Sequence, residues 1–365
     1  MQEDIWIGGS DSADLTRHAF YGGDVILEFD RPSWSYCRVM PDGARRKFAG
    51  VTGTCHIIDK SEVLIRWAVK VAMAKAKRLL IDGKFVGEDA TSILFESTLD
   101  DIIREAKKAD KEELDAAAEI GHIAHDWIEC YVGAILSDND ERRLELLAKL
   151  PEDERAANAC VAAVEWMVEH DVRWIATERR CCSREHEYAG TMDGLALVSS
   201  CTNPLCCPVE FKDRLTLVDW KTSNYLYLEY LLQTAAYQHA HEEETGETIE
   251  DRWVIRLGKE DAEFDPWHVE GRELYEIDFR GFVRALALSR SVAEITDRID
   301  EVTAIKKAAK HAVLAAAKAA ANQLACPVSE EYKGVRRKAG CNGTEVLCKK
   351  CEETWNSVQQ KKLTS

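Results

Sequence analysis

Apolar and polar positions follow two different periods along the chain, and segments with the two periods alternate. Between residues 20 and 58, short apolar runs separated by turn residues predict strands, and the last run is FAGVTGTCHII. Apolar residues at helical spacing then predict a helix that begins near Ser61 and ends near Asp82, with Ser61 as its N-cap. Two further helices are predicted over residues 111–137 and 152–170.

From residue 172 the chain returns to short apolar runs rich in Val, Leu and Trp. Three strands of a central sheet are predicted from VRWIATERR, HEYAGTMDGLALVSS and RLTLVDWKT, and two more from WVIRLG and FDPWHVE. Helices are predicted over residues 225–243 and 271–325. This order predicts an α/β fold, with a mixed central sheet flanked by helices and with helical additions. The predicted divisions are a main domain over 1–285, a helical extension over 286–325 and a small cysteine-rich module over 326–365.

The composition indicates a chain with a sizeable core and no membrane span. Hydrophobic residues make up 46% of the 365 residues. The apolar runs fall short of the roughly 20 residues that a membrane helix needs. The acidic start, Met-Gln-Glu-Asp, leads into no apolar segment, so no secretory signal is expected. We therefore expect a cytoplasmic protein.

Charge is distributed unevenly, and this changes which partners fit the chain. A net charge of −17 disfavours a phosphate-rich partner, because a negative surface repels it. Residues 306–365, however, contain 10 Lys and 2 Arg against 5 Glu. This basic end could bind nucleic acid, and a solvated helix face is the alternative interpretation.

Two acidic residues and a lysine fall on neighbouring predicted strands. Asp193 belongs to Gly-Thr-Met-Asp-Gly, and Asp219 and Lys221 belong to Asp-Trp-Lys at the end of an apolar run. Side chains two residues apart on a strand share a face, so Asp219 and Lys221 point the same way. Strands disfavour aspartate, so its presence calls for a reason. Carboxylates with water and phosphate oxygens are the ligands of Mg²⁺, which can activate a water molecule.

The order of these and other motifs resembles the RecB-like nucleases of the PD-(D/E)XK superfamily, and within it the phage-encoded exonucleases. Gly121-His-Ile-Ala-His125-Asp-Trp-Ile-Glu129 is similar to the family's helical metal-ligand motif, in which His122 competes with His125 for the ligand role. Thr177-Glu178-Arg179 is similar to the strand glutamate that precedes the first aspartate. Gln233-Thr-Ala-Ala-Tyr237 is similar to the family's Q-x-x-x-Y helix. The resemblance spans roughly residues 45–245, because the segment that contains Val51-Thr-Gly-Thr and Asp59-Lys-Ser also resembles the phage members.

The resemblance implies a restriction-endonuclease-like core and hydrolysis of DNA phosphodiester bonds. Mg²⁺ or Mn²⁺ would be held by His125, Asp193, Asp219 and the carbonyl of Trp220. Lys221 would help to activate the attacking water, and Glu178 would assist. Gln233 and Tyr237 would hold the substrate phosphate. The implied activity is that of a phage double-strand DNA exonuclease in recombination, in the host cytoplasm, with a single-strand annealing protein and further copies of the chain as possible partners.

Three alternatives stay open at this point. The same site would serve an endonuclease or a single-strand nuclease, because the choice of DNA ends depends on the shape of the channel. A non-catalytic DNA-binding or adaptor protein could keep the fold without the reaction. A zinc-stabilised scaffold could use its acidic surface to bind a protein partner.

The 13 cysteines are a high count, and clustered cysteines in a cytoplasmic chain more often bind metal than form disulfides. One predicted structural zinc site resembles half of a zinc ribbon with its completing ligands, and consists of Cys326, Cys341, Cys348 and Cys351. A second is predicted from Cys182, Cys201, Cys206 and Cys207, with thiols packed in a hairpin as the alternative. An iron–sulfur cluster is the alternative for the C-terminal set, although the cysteine spacing does not match the usual order.

Overall fold

The computed structural model describes residues 15–58, 61–81, 101–199, 201, 213–323 and 360. The chain divides into two compact units, Met1–Ser289 and Arg290–Ser365. The predicted cysteine-rich module over 326–365 lies outside the described residues, apart from Gln360. The predicted domain boundaries stay predictions. Within the described part of the chain, no helix combines the length and the apolar character needed to cross a bilayer.

An antiparallel meander of four strands opens the described chain, and a single 3₁₀ turn, Tyr21–Gly23, connects the first two strands. The strands are β1 (Leu15–Phe20), β2 (Val25–Asp30), β3 (Ser35–Val39) and β4 (Arg45–Gly50). Buried aromatic residues, among them Phe29, Tyr36 and Phe48, form its core together with Cys182 and Ala189 of the central strands. The meander therefore shares its core with residues of the central strands rather than standing apart.

Besides a helical stretch at residues 101–106, the described residues contain seven helices with assigned bounds. They are α1 (Val51–Cys55), α2 (Ser61–Ile81), α3 (Ala109–Leu136), α4 (Asp140–Ala148), α5 (Glu154–Glu169), α6 (Leu228–Thr245) and α7 (Arg272–Gln323). Asp153 caps α5 by accepting backbone N–H bonds from Arg155 and Ala156, which satisfies two of the free donors at a helix start. Gly246 ends α6 in the left-handed conformation that glycine adopts without strain.

Five strands form the central part of a nine-stranded sheet in which β6 is shared by two groups of strands. These strands are β5 (Val172–Ser183), β6 (Tyr188–Val198), β7 (Arg214–Lys221), β8 (Asp251–Leu257) and β9 (Phe264–Glu270). β5 pairs with β6 over its whole length. Because a strand has only two edges, the other edge of β6 serves both β4, at Tyr188 and Ala189, and β7, at residues 194–198. The order from β1 to β4 and then β6 to β9 follows from this sharing.

Helices cover both faces of the sheet, and the alternation of side chains decides which face each residue joins. On one face α3 and α5 pack against Trp220 and Trp253, and the Trp166 ring lies 5.4 Å from that of Trp220. On the other face α1, α6 and the beginning of α7 pack against Leu217 of β7. Asp219 lies two residues after Leu217, so its side chain points towards the α6 face.

The mixed α/β architecture with a central sheet between helices is confirmed. The five central strands and the helices predicted near 61–82, 111–137, 152–170, 225–243 and 271–325 are also confirmed, with ends that differ by a few residues. The prediction of a strand through FAGVTGTCHII is wrong after Gly50, because Val51–Cys55 is helical. Val51 and Cys55 are four residues apart, and both are buried on the α6 side of the sheet, which a short helix achieves as well as a strand.

Candidate active site

The Gly-Thr-Met-Asp segment occupies a gap between two strands. β4 lies beside β6 as far as Ala189, and β7 lies beside β6 from Gly194 onward. Residues 190–193 therefore have no strand partner on that edge in the described chain. Beyond Val218, β7 turns away from β6 and continues beside β8 as far as Lys221. Asp193 and Asp219 thus face each other across the fork where β6 and β7 separate.

A hydrogen bond from the backbone of β7 to the Asp193 side chain connects the two strands at the fork. The backbone N–H of Trp220 donates to Asp193 Oδ2 over 2.8 Å. On the β5 side, the Thr177 hydroxyl donates to the Asp193 carbonyl oxygen over 3.2 Å. Asp193 is therefore bonded to the strands on both sides of β6.

Asp219 and Lys221 form a close ion pair at the mouth of the fork. Lys221 Nζ lies 2.6 Å from Asp219 Oδ2, and the two side chains are 15% and 1% exposed. The Tyr230 ring lies 4.9 Å from the same ammonium group. Asp219 Oδ1 is buried and accepts no hydrogen bond from the described residues. A buried carboxylate oxygen with no partner is costly, so it calls for a ligand.

Three groups from three elements converge beside this pair. A nitrogen of His125 on α3 and carboxylate oxygens of Glu178 on β5 and Asp193 on β6 all lie within 4.8 Å of one another. His125 Nδ1 is 3.8 Å from Asp193 Oδ2. His122 is exposed on the same helix and is not part of this group. One imidazole and two carboxylates form a donor set that suits Mn²⁺ directly and Mg²⁺ through the oxygens.

Glu178 holds its position at the cost of backbone strain. It lies within β5 opposite Asp193, yet its φ is +46°, a left-handed conformation that side-chain-bearing residues rarely adopt. Such a conformation costs about 1–3 kcal/mol, and the surrounding structure must enforce it. Here the paired residues on either side, Thr177 with Gly194 and Arg179 with Met192, enforce it. The strain turns the Glu178 carboxylate towards the group instead of following the regular alternation.

Two glycines allow helices to approach the strands closely. A Cβ at Gly121 of α3 would lie 2.9 Å from the Thr222 hydroxyl oxygen, directly after Lys221. A Cβ at Gly190 of β6 would lie 2.4 Å from the Tyr237 ring on α6. Both distances are too short for real contacts. The absence of side chains at these positions therefore lets α3 bring His125, and α6 bring Tyr237, up to the fork.

Burial and mutual repulsion shift the ionisation of the whole group. Burial, with Asp193 as a neighbour, raises the pKa of Glu178 to about 8. Burial raises the pKa of Asp219 to about 6 against the opposing effect of Lys221. Burial and then Lys221 lower the pKa of His125 to about 4. Burial lowers the pKa of Lys221, but Asp219 and Asp193 outweigh it and raise that pKa overall. The carboxylates thus carry more negative charge than one lysine neutralises, and a divalent cation would relieve it.

Gln233 and Tyr237 lie one turn apart on α6, and both are buried beside the fork. The Gln233 amide nitrogen donates to the Tyr237 hydroxyl over 2.9 Å. Burial, and next the Asp219 charge, raise the pKa of Tyr237 well above its ordinary value. The hydroxyl therefore stays protonated and can serve as a donor.

The sequence analysis did not single out Tyr230 or Thr222, which also belong to the site. Tyr230 precedes Gln233 by three residues, so helical spacing alone places it on the same side of α6. Thr222 directly follows Lys221 and faces α3 through Gly121. Both positions adjoin motif residues, and that is the signal that could have identified them.

The structure does not bring Cys182 and Cys201 together, although the second predicted zinc site requires it. Cys182 pairs with Ala189 near the closed end of the β5–β6 hairpin, and Cys201 follows Val198 at the open end. Nine residue-to-residue steps of extended strand lead from Ala189 to Val198, which corresponds to about 30 Å. Cys182 packs instead in the aromatic core of the meander. The other cysteines of both predicted zinc sites lie outside the described residues, and these are Cys206, Cys207, Cys326, Cys341, Cys348 and Cys351.

Comparison with known proteins gives a distant structural likeness. No family model and no curated protein sequence matches the chain. Among solved structures, the chain is similar to LHK-Exo in complex with dAMP, with 14% identity, a TM-score of 0.24, and coverage of 41% of this chain and 69% of that one. It is also similar to the alkaline exonuclease LHK-Exo from Laribacter hongkongensis, with 13% identity, a TM-score of 0.23 and the same coverage. At these TM-scores the function has to be argued from the site itself.

Proposed function

We propose that this chain is a metal-dependent deoxyribonuclease that hydrolyses phosphodiester bonds at the fork between β6 and β7. The observation that carries the proposal is the convergence of a buried Asp219–Lys221 pair with the His125–Glu178–Asp193 group. The motif order that resembles the PD-(D/E)XK nucleases supports it independently, because it was derived from the sequence alone. The same resemblance supports a restriction-endonuclease-like core.

The residues of the fork fit a divalent cation. His125, Asp193, Asp219 and the Trp220 carbonyl would hold Mg²⁺ or Mn²⁺, and the buried Asp219 Oδ1 is a donor that needs such a partner. When bound, the ion would lower the pKa of a water molecule and offset charge on the phosphate. Oxygen-rich donor sets favour Mg²⁺ and Mn²⁺ over softer metals.

Lys221 acts as a positive charge and a hydrogen-bond donor rather than as a base. The neighbouring carboxylates raise its pKa, so its ammonium group stays protonated at neutral pH. It can orient the attacking water and neutralise charge that develops on the phosphate. The Tyr230 ring and Asp219 hold the ammonium in place from two sides.

Glu178 has an ionisation suited to proton transfer. Its pKa of about 8 lies close to neutral pH, where a group can both take up and release a proton. Its strained backbone points the carboxylate at the same space as His125 and Asp193. We assign to Glu178 the task of accepting a proton from the attacking water.

Gln233 and Tyr237 would hold a phosphate next to the scissile bond. The Gln233 amide has two N–H groups, of which one is engaged with Tyr237, and the Tyr237 hydroxyl still has its own proton to donate. Two donors one turn apart can bind two oxygens of a single phosphate.

An exonuclease acting on double-stranded DNA is the preferred form of the activity, and it rests on the resemblance to phage members. The basic residues in 306–365 would bind the DNA backbone. A role in recombination beside a single-strand annealing protein, and assembly of several copies of the chain, are part of the same proposal. Structural zinc at Cys326, Cys341, Cys348 and Cys351 remains a proposal. An endonuclease, or a non-catalytic DNA-binding protein on the same fold, is the competing function.

The test compares end-labelled linear DNA with covalently closed circular DNA in Mg²⁺ and in Mn²⁺. The variants are Asp219→Asn, which keeps the shape of the side chain, and Asp265→Asn, a matched control on an exposed β9 carboxylate. We expect the wild type and the control to degrade linear DNA only, and Asp219→Asn to be inactive on both. Cutting of the circle would establish an endonuclease instead. Metal-independent cleavage, or full activity of Asp219→Asn, would refute the proposal.

A further inference from the structure

A second group of histidines and carboxylates lies at the closed end of the β5–β6 hairpin, away from the fork. Ligand atoms of Glu185 and His186, in the hairpin turn, and of His239, on α6, lie within 4.8 Å of one another. Glu243, one turn after His239 on α6, adds a carboxylate whose Oε2 is 3.7 Å from His239 Nε2. Two imidazoles and one carboxylate thus converge, and the Glu243 carboxylate lies directly beside His239.

Two buried atoms of this group have no hydrogen-bond partner in the described chain. His239 Nε2 and Glu243 Oε2 are both shielded from solvent and both lack one. Their 3.7 Å separation is too long for a hydrogen bond, but it is close to the roughly 3.4 Å between two ligands of a tetrahedral ion with bonds near 2.0–2.1 Å.

The surroundings fix these side chains in the orientation that a metal ligand needs. His239 Nδ1 is 2.9 Å from the Tyr275 hydroxyl, which can accept its N–H and leave Nε2 free to bind. The Phe279 ring stacks on the His239 ring at 3.9 Å. A metal-bound histidine normally donates its second ring N–H to such a partner. Tyr275 and Phe279 therefore fix the orientation of the His239 ring, as the residues around a metal site commonly do for its ligands.

The hairpin turn is itself tied to α6 through the same carboxylate. Glu243 Oε1 accepts the backbone N–H groups of Arg184 and Glu185 over 3.0 and 3.1 Å. This leaves Oε2 of the same carboxylate pointing at His239. The hairpin carries Glu178 and Asp193 further along its strands, and α6 carries Gln233 and Tyr237. A clamp at this point would hold together the two elements that frame the fork.

We propose that Glu185, His186, His239 and Glu243 form a structural site for a divalent transition metal, with Zn²⁺ as the ion of choice, which clamps the β5–β6 hairpin to α6. Imidazole and carboxylate together suit Zn²⁺, and among common divalent ions Zn²⁺ binds such sites more tightly than Mn²⁺ or Fe²⁺. Mg²⁺ prefers oxygen alone, so the clamp and the fork would select different metals. Zinc binding at this site does not require nuclease activity at the fork.

The experiment measures zinc affinity of the full chain after removal of metal with a chelator. The variant is His186→Gln, and His311→Gln is its control because His311 is exposed on α7. Other zinc sites in the chain are present equally in both variants, so only the difference reports on the clamp. We expect one zinc equivalent to bind at least about 100-fold more weakly in His186→Gln than in the control, since loss of an outer partner alone costs 10–100-fold. Zinc should also raise the melting temperature of the control more than that of the variant.

A second variant distinguishes loss of the metal site from loss of folding. His186→Cys keeps a zinc ligand at the same position, so it should recover zinc binding and, with Co²⁺, strengthen the thiolate-to-metal charge-transfer band. Equal zinc affinity in wild type, His186→Gln and His311→Gln would overturn the proposal. So would failure of His186→Cys to bind more zinc than His186→Gln while both melt like the metal-free wild type.

Discussion

Glu28 of the meander and Asp219 of the central sheet are both buried carboxylates on strands, yet their surroundings differ in kind. Glu28 is 3% exposed and binds two guanidinium groups, with Arg17 Nη2 at 2.6 Å and Arg45 Nε at 2.6 Å. Hydrogen bonds from Arg45, outweighing burial, lower its pKa. Asp219 has Lys221 alone and a buried oxygen with no partner in the described chain, and burial raises its pKa to about 6.

The difference distinguishes a carboxylate whose cost of burial is offset within the protein from one whose cost of burial is not. Two arginines supply Glu28 with more donors than its charge needs, so its cost of burial is offset within the protein. At the fork, Asp193 places a second carboxylate beside Asp219 and raises its pKa further. Strongly shifted carboxylates grouped in one place are typical of functional sites. The meander thus gives an internal standard for what a purely structural carboxylate looks like in this chain.

The largest predicted effect is a contrast between two substitutions: Asp219→Asn should abolish cleavage without loss of stability, and Glu28→Gln should lower stability without loss of cleavage. Asp219→Asn should reduce metal-dependent DNA cleavage by more than about 100-fold, because it removes a proposed metal ligand, and mutation of an outer partner alone costs 10–100-fold. Its stability without metal should stay equal to the wild type or rise, because repulsion at the fork falls. Glu28→Gln should lower the free energy of unfolding by roughly 2–3 kcal/mol, at the low end for a broken buried pair because Arg17 and Arg45 can reach water.

Cleavage rates and denaturant midpoints of Asp219→Asn and Glu28→Gln, measured on the same preparations, test this contrast. Glu28→Gln should keep its cleavage rate at temperatures where it remains folded. The comparison fails if Asp219→Asn unfolds more easily than Glu28→Gln, since that would make Asp219 the structural carboxylate. It also fails if Glu28→Gln loses cleavage while it is still folded.

An effect of intermediate size concerns the pH dependence of folding stability, to which Asp219 and Glu28 should contribute with opposite signs. The folded-state pKa of Asp219 is raised, so the protonated form stabilises the metal-free fold at low pH, and this stability is lost as the pH rises to about 6. Glu178 extends the loss to about pH 8. The pKa of Glu28 is lowered, so it contributes stability above its unfolded pKa that is lost as the pH falls.

Denaturant unfolding of the metal-free chain between pH 4 and pH 6 measures the Asp219 contribution. The wild type should lose stability relative to Asp219→Asn across this window, by an amount on the order of 3 kcal/mol from a shift of about two pKa units. Saturating Mg²⁺ should remove the difference in the wild type. Parallel pH profiles of the two proteins would show that Asp219 titrates as it does in the unfolded chain.

The main architecture could be predicted from the sequence because each element buries one face with its own period. The strands β5 to β9 and the long helices show this clearly. The segment Val51–Cys55 was predicted wrongly because five residues are too few to distinguish the two periods, and its β-branched and small residues suit a strand. The strand β1 and the helix α4 were not predicted, and α4 buries only Leu146. A helix with one buried side chain leaves little pattern to detect.

The site residues could be named from motif order, but their arrangement could not. The sequence does not show that β6 is shared by β4 and β7, which creates the gap at residues 190–193. Nor does it show the left-handed backbone at Glu178, because glutamate gives no local signal for it. The pairing of Cys182 with Ala189 depends on the register of the hairpin, and that register separates Cys182 from Cys201. Register is a property of packing between strands, and spacing along one strand does not contain it.

The smallest predicted effect tests whether α6 contributes donors to the fork or only covers it. Tyr237→Phe removes one hydroxyl that accepts from Gln233 and leaves the ring against Gly190. If the hydroxyl binds a substrate phosphate, cleavage should fall about tenfold, the value of one hydrogen bond to a charged group, mainly through a higher KM. Tyr131→Phe on α3 is the matched control, because that buried ring stacks on Trp127 on the far side of the sheet. Steady-state cleavage of a short duplex with Mg²⁺ gives both constants. Equal constants for the two variants would mean that the hydroxyl only orients Gln233, and Gln233→Ala would then have to show the larger loss for α6 to keep its assigned role.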